Sequence, residues 1–108
     1  MATIEDFQQL DIRVGVVIDV QDFPEARKPA YKLQIDFGEL GIKTSSAQIT
    51  QLYTKEELVG RQVIAVVNFP PLRVAGFVSQ VLVLGALNDA GVVLLQPERP
   101  VAPGDKIA

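Results

Sequence analysis

Apolar and polar residues alternate along this chain with two different periods. Near the start, Ile4, Phe7 and Leu10 recur at helical spacing behind Thr3, with Glu5 and Asp6 in the first turn. A hydroxyl cap followed by acids predicts a short helix with one apolar stripe. Asp11 to Gln21 (DIRVGVVIDVQ) is rich in Val and Ile, alternates only loosely and holds Gly15 in its middle, as a long, sharply bent barrel strand does. Phe23 to Ala30 (FPEARKPA), with two prolines and three charges, reads as a loop. Tyr31 to Phe37 alternates cleanly, with Lys32, Gln34 and Asp36 on one face, before GELG turns the chain. Ile42 to Gln48 (IKTSSAQ) predicts a third strand, unusually polar. Thr54 and Glu57 have capping-box spacing for a turn or two of helix that Gly60 ends. Gln62 to Asn68, Ser79 to Ala86 and Val92 to Gln96 complete the strands, the last two joined by a turn at NDAG.

Three strands, a short helix and then further strands, with a glycine bend in the first, is the order of an all-β, five-stranded Greek-key barrel of the OB type. The first helix and the segment from Val92 to Ile107 fall outside the five barrel strands, as N- and C-terminal additions. Both carry apolar residues that need cover. A single small domain covering 1–108 should not expose both, so Ile4, Phe7 and Leu10 are the candidate interface of a homodimer. No repeat, linker or low-complexity tract points to a second domain.

Composition narrows the chemistry. With no cysteine there is neither a disulfide framework nor a thiolate metal site. With no histidine, the commonest general base, the usual orienting partner of a nucleophile and the commonest transition-metal ligand are all missing. The adjacent acids Glu5–Asp6 and Glu56–Glu57 stand at helix starts, where the helix dipole favours them. Gly38 and Gly41 lack the spacing of a phosphate loop. These features predict a protein that is not an enzyme, with no catalytic residue, metal or cofactor. Hydrophobic residues make up 48% of the chain and mean hydropathy is +0.25, which predicts apolar surface kept for a partner. No apolar run reaches the length of a membrane span and the N-terminus has no apolar signal core, so the expectation is a cytoplasmic protein without membrane insertion.

The motifs DIRVG, VNFPPLRVAGFVSQVLVLGA and PGDKI, spread from Asp11 to Ile107, resemble the signatures of the tRNA-binding OB-domain family. That family includes free dimeric tRNA-binding proteins and the C-terminal domain of some methionyl-tRNA synthetases. Within it, ARKPAYKL and TSSAQIT are similar to a branch of small export-related chaperones. The resemblance implies a single tRNA-binding-type OB domain. Its tRNA-binding members carry a Lys-Pro-x-Lys-Met-Arg-Gly hairpin where this chain has Pro70 to Gly76 (PPLRVAG), which keeps only Arg73. Pro70 and Ala75 stand where two further basic residues would be, and Leu82 where a methionine is usual. Each missing cation means one phosphate fewer neutralised. A net charge of −3 and a pI near 4.8 add general repulsion of nucleic acid.

Arg13, Arg27, Lys28, Lys32 and Arg73 remain as a candidate local basic patch. Ser45, Ser46 and Gln48, polar in an apolar chain, predict a groove lined with neutral hydrogen-bonding groups. Such a lining fits an extended peptide better than a phosphate backbone. The candidate binding residues are therefore Arg13, Tyr31, Lys32, Ser46, Asn68, Arg73, Ser79 and Gln80. Plainer roles stand beside these: Arg73 and Gly76 in an exposed bent hairpin, Ser79 and Gln80 at a strand end, Lys32 as a solvated charge, and Tyr31 and Phe77 as core. The working expectation is a chaperone of unfolded or presecretory polypeptide that needs no ATP, the link to protein export coming from the resemblance. The alternative is a structure-specific tRNA-binding protein, its binding weak and salt-sensitive. A purely structural assembly subunit would show neither activity.

Overall fold

The computed structural model describes all 108 residues. A short helix, α1 (Ile4–Gln8), precedes β1 (Ile12–Asp22), β2 (Tyr31–Asp36), a single 3-10 turn, β3 (Ile42–Ala47), α2 (Lys55–Leu58) and β4 (Gln62–Val66). Beyond β4 come β5 (Leu72–Val74), β6 (Phe77–Ser79), β7 (Leu82–Val83), β8 (Gly85–Asn88) and β9 (Gly91–Leu94). The main sheet is antiparallel, in the order β3-β2-β1-β4-β7, and it curls into a nearly closed five-strand barrel of the OB type.

The long first strand makes the curl possible. Its first half, Ile12 to Val16, pairs with β4, and from Val16 onward it pairs with β2. Ile18 is left out of the ladder between Val17 and Asp19, a bulge that bends the strand. Gly15 meets a different need: a Cβ there would lie 2.5 Å from Ile35 Cγ2 and 2.7 Å from the Phe37 ring, so β1 passes too close to β2 for any side chain. Alternation in β2 turns Leu33 and Ile35 inward, with Phe37 following, and all three are fully buried with Val17, Leu58 and Val63.

Both helices begin with capping boxes. Thr3 and Asp6 exchange hydrogen bonds at the start of α1, as Thr54 and Glu57 do at the start of α2. The N–H and hydroxyl of Thr54 hold the Glu57 carboxyl below its usual range. Leu58 from α2 plugs the core, whereas α1 buries none of its residues.

The stretch from Ser79 to Ala86 is not one strand. β6 pairs with β5, β7 crosses to β4 (Leu82 opposite Val66), and β8 pairs with β9 (Gly85 opposite Leu94). Each change of partner redirects the backbone, so an apolar run that reads as continuous is three short pieces. Ala75 (φ 45) and Gly76 (φ 84) form a two-residue turn between β5 and β6, both with positive φ as a tight hairpin favours.

The C-terminal segment is fastened to the start of β1. Asp105 O accepts from Val14 N, and the backbone N–H groups of Gly104 and Ile107 donate to Val14 O and Ile12 O, covering the edge of β1 that β2 does not reach.

Candidate functional site

Thr44 and Gln80 close the barrel. Gln80 N and Val81 N donate to Thr44 O (2.8 and 3.2 Å), and Thr44 N donates back to Gln80 Oε1 (3.0 Å). The Thr44 hydroxyl donates to Val78 O at 2.7 Å, and Ser46 N donates to Ser79 Oγ at 3.0 Å. Thr44 and Ser46 lie on β3 with their backbone groups facing away from β2, so the strand after β6 docks against the free edge of β3.

Ser79 and Gln80, expected as a binding wall, take part in this seam and also line the smaller groove beside it. Ser79 is buried and its oxygen already accepts a backbone N–H, while the Gln80 carbonyl serves Thr44. Both help to close the barrel, and Gln80 Nε2 has no partner within the chain.

Two grooves adjoin that seam. The larger, about 780 Å³, runs between the loop after β1, the β3 edge and the β5–β6 hairpin, lined by Ala26, Arg27, Lys28, Ala30, Ser46, Gln48, Leu72, Val74 and Ala75. The smaller, about 300 Å³, has Phe69, Pro70, Leu72, Val81 and Leu82 with Ser46, Ser79 and Gln80. Ser46 and Leu72 belong to both, so together they form a saddle joining a cationic half to an apolar half. Leu72 is 64% exposed, Leu82 49% and Phe69 42%, so this surface is apolar and uncovered. No Asp or Glu lines either groove, and neither Arg27 nor Lys28 has an ion-pair partner.

The other expected site residues separate. Lys32 holds its ammonium 5.4 Å from the Phe23 ring centre and 5.9 Å from that of Phe77, two rings that meet edge to face. This is a cation–π seat on the outer face of β2, beside Thr44. Arg73 is exposed, but Leu72 and Val74 face the groove, and alternation turns Arg73 to the other side of the hairpin. The Tyr31 hydroxyl donates to Tyr53 O at 2.8 Å and its ring packs on the core, which makes it a strut more than a platform.

Arg13 and Asn68 do not belong to the groove. Arg13 Nε meets Asp11 Oδ1 at 2.6 Å and Nη1 donates to Gly104 O at 3.0 Å, pinning the C-terminal segment. Asn68 Oδ1 accepts from Asp11 N and Nδ2 donates to Gln9 O, pinning α1. Both are spent on holding the termini. Of the eight expected residues, Ser46 alone has a free hydroxyl in the groove. Gln48, expected in a polar groove lining, is there, and Leu72 and Phe69 join it beyond the expected residues, the two apolar residues flanking the double proline of an exposed hairpin being the signal that could have found them.

A separate apolar surface lies at the termini. Ile4, Phe7, Leu10 and Ile107 line a cleft of about 370 Å³ with Lys106 and Ala108, and Ile4 is 64% exposed. No three His, Cys, Asp or Glu side chains gather where they would hold a metal ion.

Residues 12–106 match the family described as "Putative tRNA binding domain". The chain is 39% identical over 102 residues to the methionine–tRNA ligase of Nanoarchaeum equitans and 40% identical over 104 residues to that of Bacteroides fragilis. These matches take in 94% and 95% of this chain but 13% and 15% of the relatives, so the chain spans about one seventh of their length. Among solved structures, it is similar to the chaperone CsaA of Bacillus anthracis (58% identity, TM-score 0.95, covering 100% of this chain and 99% of that one). It is equally similar to the CsaA chaperone protein of Picrophilus torridus (58% identity, TM-score 0.96, 100% of both chains).

Proposed function

The chain belongs to the tRNA-binding domain family, and we propose that within it the protein is an ATP-independent chaperone. On this reading it binds unfolded or presecretory polypeptide reversibly, as a cytoplasmic homodimer, and performs no catalytic step. The observation that carries the reading is the saddle at Ser46 and Leu72. There, exposed apolar side chains and unspent hydrogen-bonding groups, the Ser46 hydroxyl, the Gln48 amide and Gln80 Nε2, border two adjacent grooves that share Ser46 and Leu72. An extended polypeptide has both apolar side chains and backbone amides to offer, and such a lining meets them together. The groove is held open by the barrel seam and a tight hairpin, so little ordering entropy is lost on binding and modest contacts suffice for micromolar affinity. The 58% identity to two proteins named as CsaA chaperones supports the same reading.

In the homodimer, exposed Ile4 and Phe7, with half-buried Leu10, cover their counterparts across the two-fold axis. The test is a side-by-side titration of total tRNA and of a reduced, unfolded precursor protein at near-physiological salt. The precursor should bind at micromolar concentration and tRNA far more weakly. Precursor binding no tighter than that of a folded control protein would overturn the reading.

A second reading, a structure-specific tRNA-binding protein, is favoured by the family and by the unpaired cations Arg27, Lys28, Lys32 and Arg73. Four such cations permit a log–log salt slope of roughly −2 to −4. Tight tRNA binding that persisted unchanged at high salt would refute that electrostatic account.

A further inference from the structure

We propose that the groove selects apolar segments flanked by acidic residues, and that it therefore captures stretches of a client other than a signal sequence. This rests on the polypeptide-binding reading above and adds the charge of the bound segment. Arg27 and Lys28 line one half of the groove, while Phe69, Leu72 and Leu82 line the other, with Ser46 between.

The two cations are adjacent in sequence, exposed, and free of any ion pair, although the chain as a whole carries an excess of acids. Glu25, in the same loop, is exposed and does not line the groove. With no carboxylate in the lining, the charges the groove itself presents at that end are both positive. A screening length of about 8 Å at physiological salt lets this local pair outweigh more distant acids.

An extended chain laid across the saddle places apolar side chains against Leu72 and Phe69 and its flank beside Arg27 and Lys28. A carboxylate on that flank gains one or two charge-assisted bonds, and a lysine or arginine is repelled. Signal sequences carry their positive charges next to the apolar core, the arrangement this groove disfavours.

The test uses the full-length protein and three fluorescent peptides with the same apolar core, flanked by Glu-Glu, Gln-Gln or Lys-Lys, titrated at near-physiological salt. The Glu-flanked peptide is expected to bind about three- to tenfold more tightly than the Lys-flanked one, the range for a pair of partly exposed ion pairs. In the double variant Arg27→Glu, Lys28→Glu the order should reverse. Both positions are exposed loop sites, and circular dichroism with light scattering verifies the fold.

Equal affinities, or a preference for the Lys flank in the native protein, would overturn the inference while leaving polypeptide binding intact. Failure of all three peptides to bind would instead overturn the reading on which it rests. The inference also falls if the double variant loses tRNA binding but keeps the peptide order, because the cations would then serve RNA.

Discussion

Removing the Gln80 side chain should weaken the barrel before it weakens any binding. In Gln80→Ala, Thr44 N loses its acceptor at 3.0 Å, and the Thr44 hydroxyl keeps only Val78 O. One neutral hydrogen bond contributes about 0.5–1.5 kcal/mol, and leaving a part-buried N–H unpaired costs more unless water reaches it. The expected loss is about 1–2 kcal/mol, equivalent to roughly 4–15 °C in Tm for a domain of this size. Urea unfolding followed by circular dichroism measures it, with a slope near that of the native protein. Hydrogen exchange should also show reduced protection of the Thr44 amide. Gln80→Glu retains an oxygen acceptor in the same place and should recover most of the loss. The seam assignment is refuted if Gln80→Ala unfolds at the native urea midpoint while losing peptide affinity. The side chain would then be a binding group, as the sequence first implied.

Three further outcomes follow from the same geometry. Asn68→Ala removes both bonds that hold α1, so the apolar face of Ile4 and Phe7 should lose its fixed position and, in the proposed homodimer, light scattering should show a shift toward monomer relative to the native protein; an unchanged mass would sever the link between α1 and assembly. Gly15→Ala drives a methyl into Ile35 and Phe37 and should cost about 1–3 kcal/mol in urea unfolding, whereas a neutral effect would mean that β1 can move away. The carboxyl of Glu57 is held below its ordinary value of 4.5 by the Thr54 N–H and hydroxyl, so its contribution is complete above that pH and is lost as pH falls through the depressed folded value. Glu57→Gln, which keeps an acceptor that does not titrate, should flatten that part of the acid-unfolding curve, and an identical curve would count against the capping box.

The parts of this fold that were legible in sequence are those whose causes lie within a few residues. Leu33 and Ile35 alternate with Lys32, Gln34 and Asp36 because β2 has one core face. Both capping boxes are three-residue relations, Thr3 with Asp6 and Thr54 with Glu57. The run from Ser79 to Ala86 failed for the opposite reason. Nothing within it announces that its partner changes from Leu72 to Val66 to Leu94, since those residues lie elsewhere in the chain. The site followed the same division. Arg13 and Asn68 are polar residues of the kind that bind ligands, but they are committed to Gly104 and Gln9, 91 and 59 positions away.

The polar strand β3 shows why the remaining site could be read only in part. Its neutral hydroxyls read in sequence as one lining, but the strand has two tasks along one edge. Thr44 and the Ser46 N–H close the barrel against Gln80 and Ser79, and the Ser46 hydroxyl is left to the groove. Composition cannot distinguish these, because both tasks call for small groups that donate and accept hydrogen bonds without charge. The geometry can, because the Gln80 carboxamide oxygen is bonded at 3.0 Å to the Thr44 N–H of the seam, whereas the Ser46 hydroxyl lines the groove with no partner in the seam. The cost of truncating Ser79 or Gln80 therefore falls first on the barrel. Binding is better probed at Ser46, Leu72, Arg27 and Lys28, whose side chains reach the groove and hold no part of the seam.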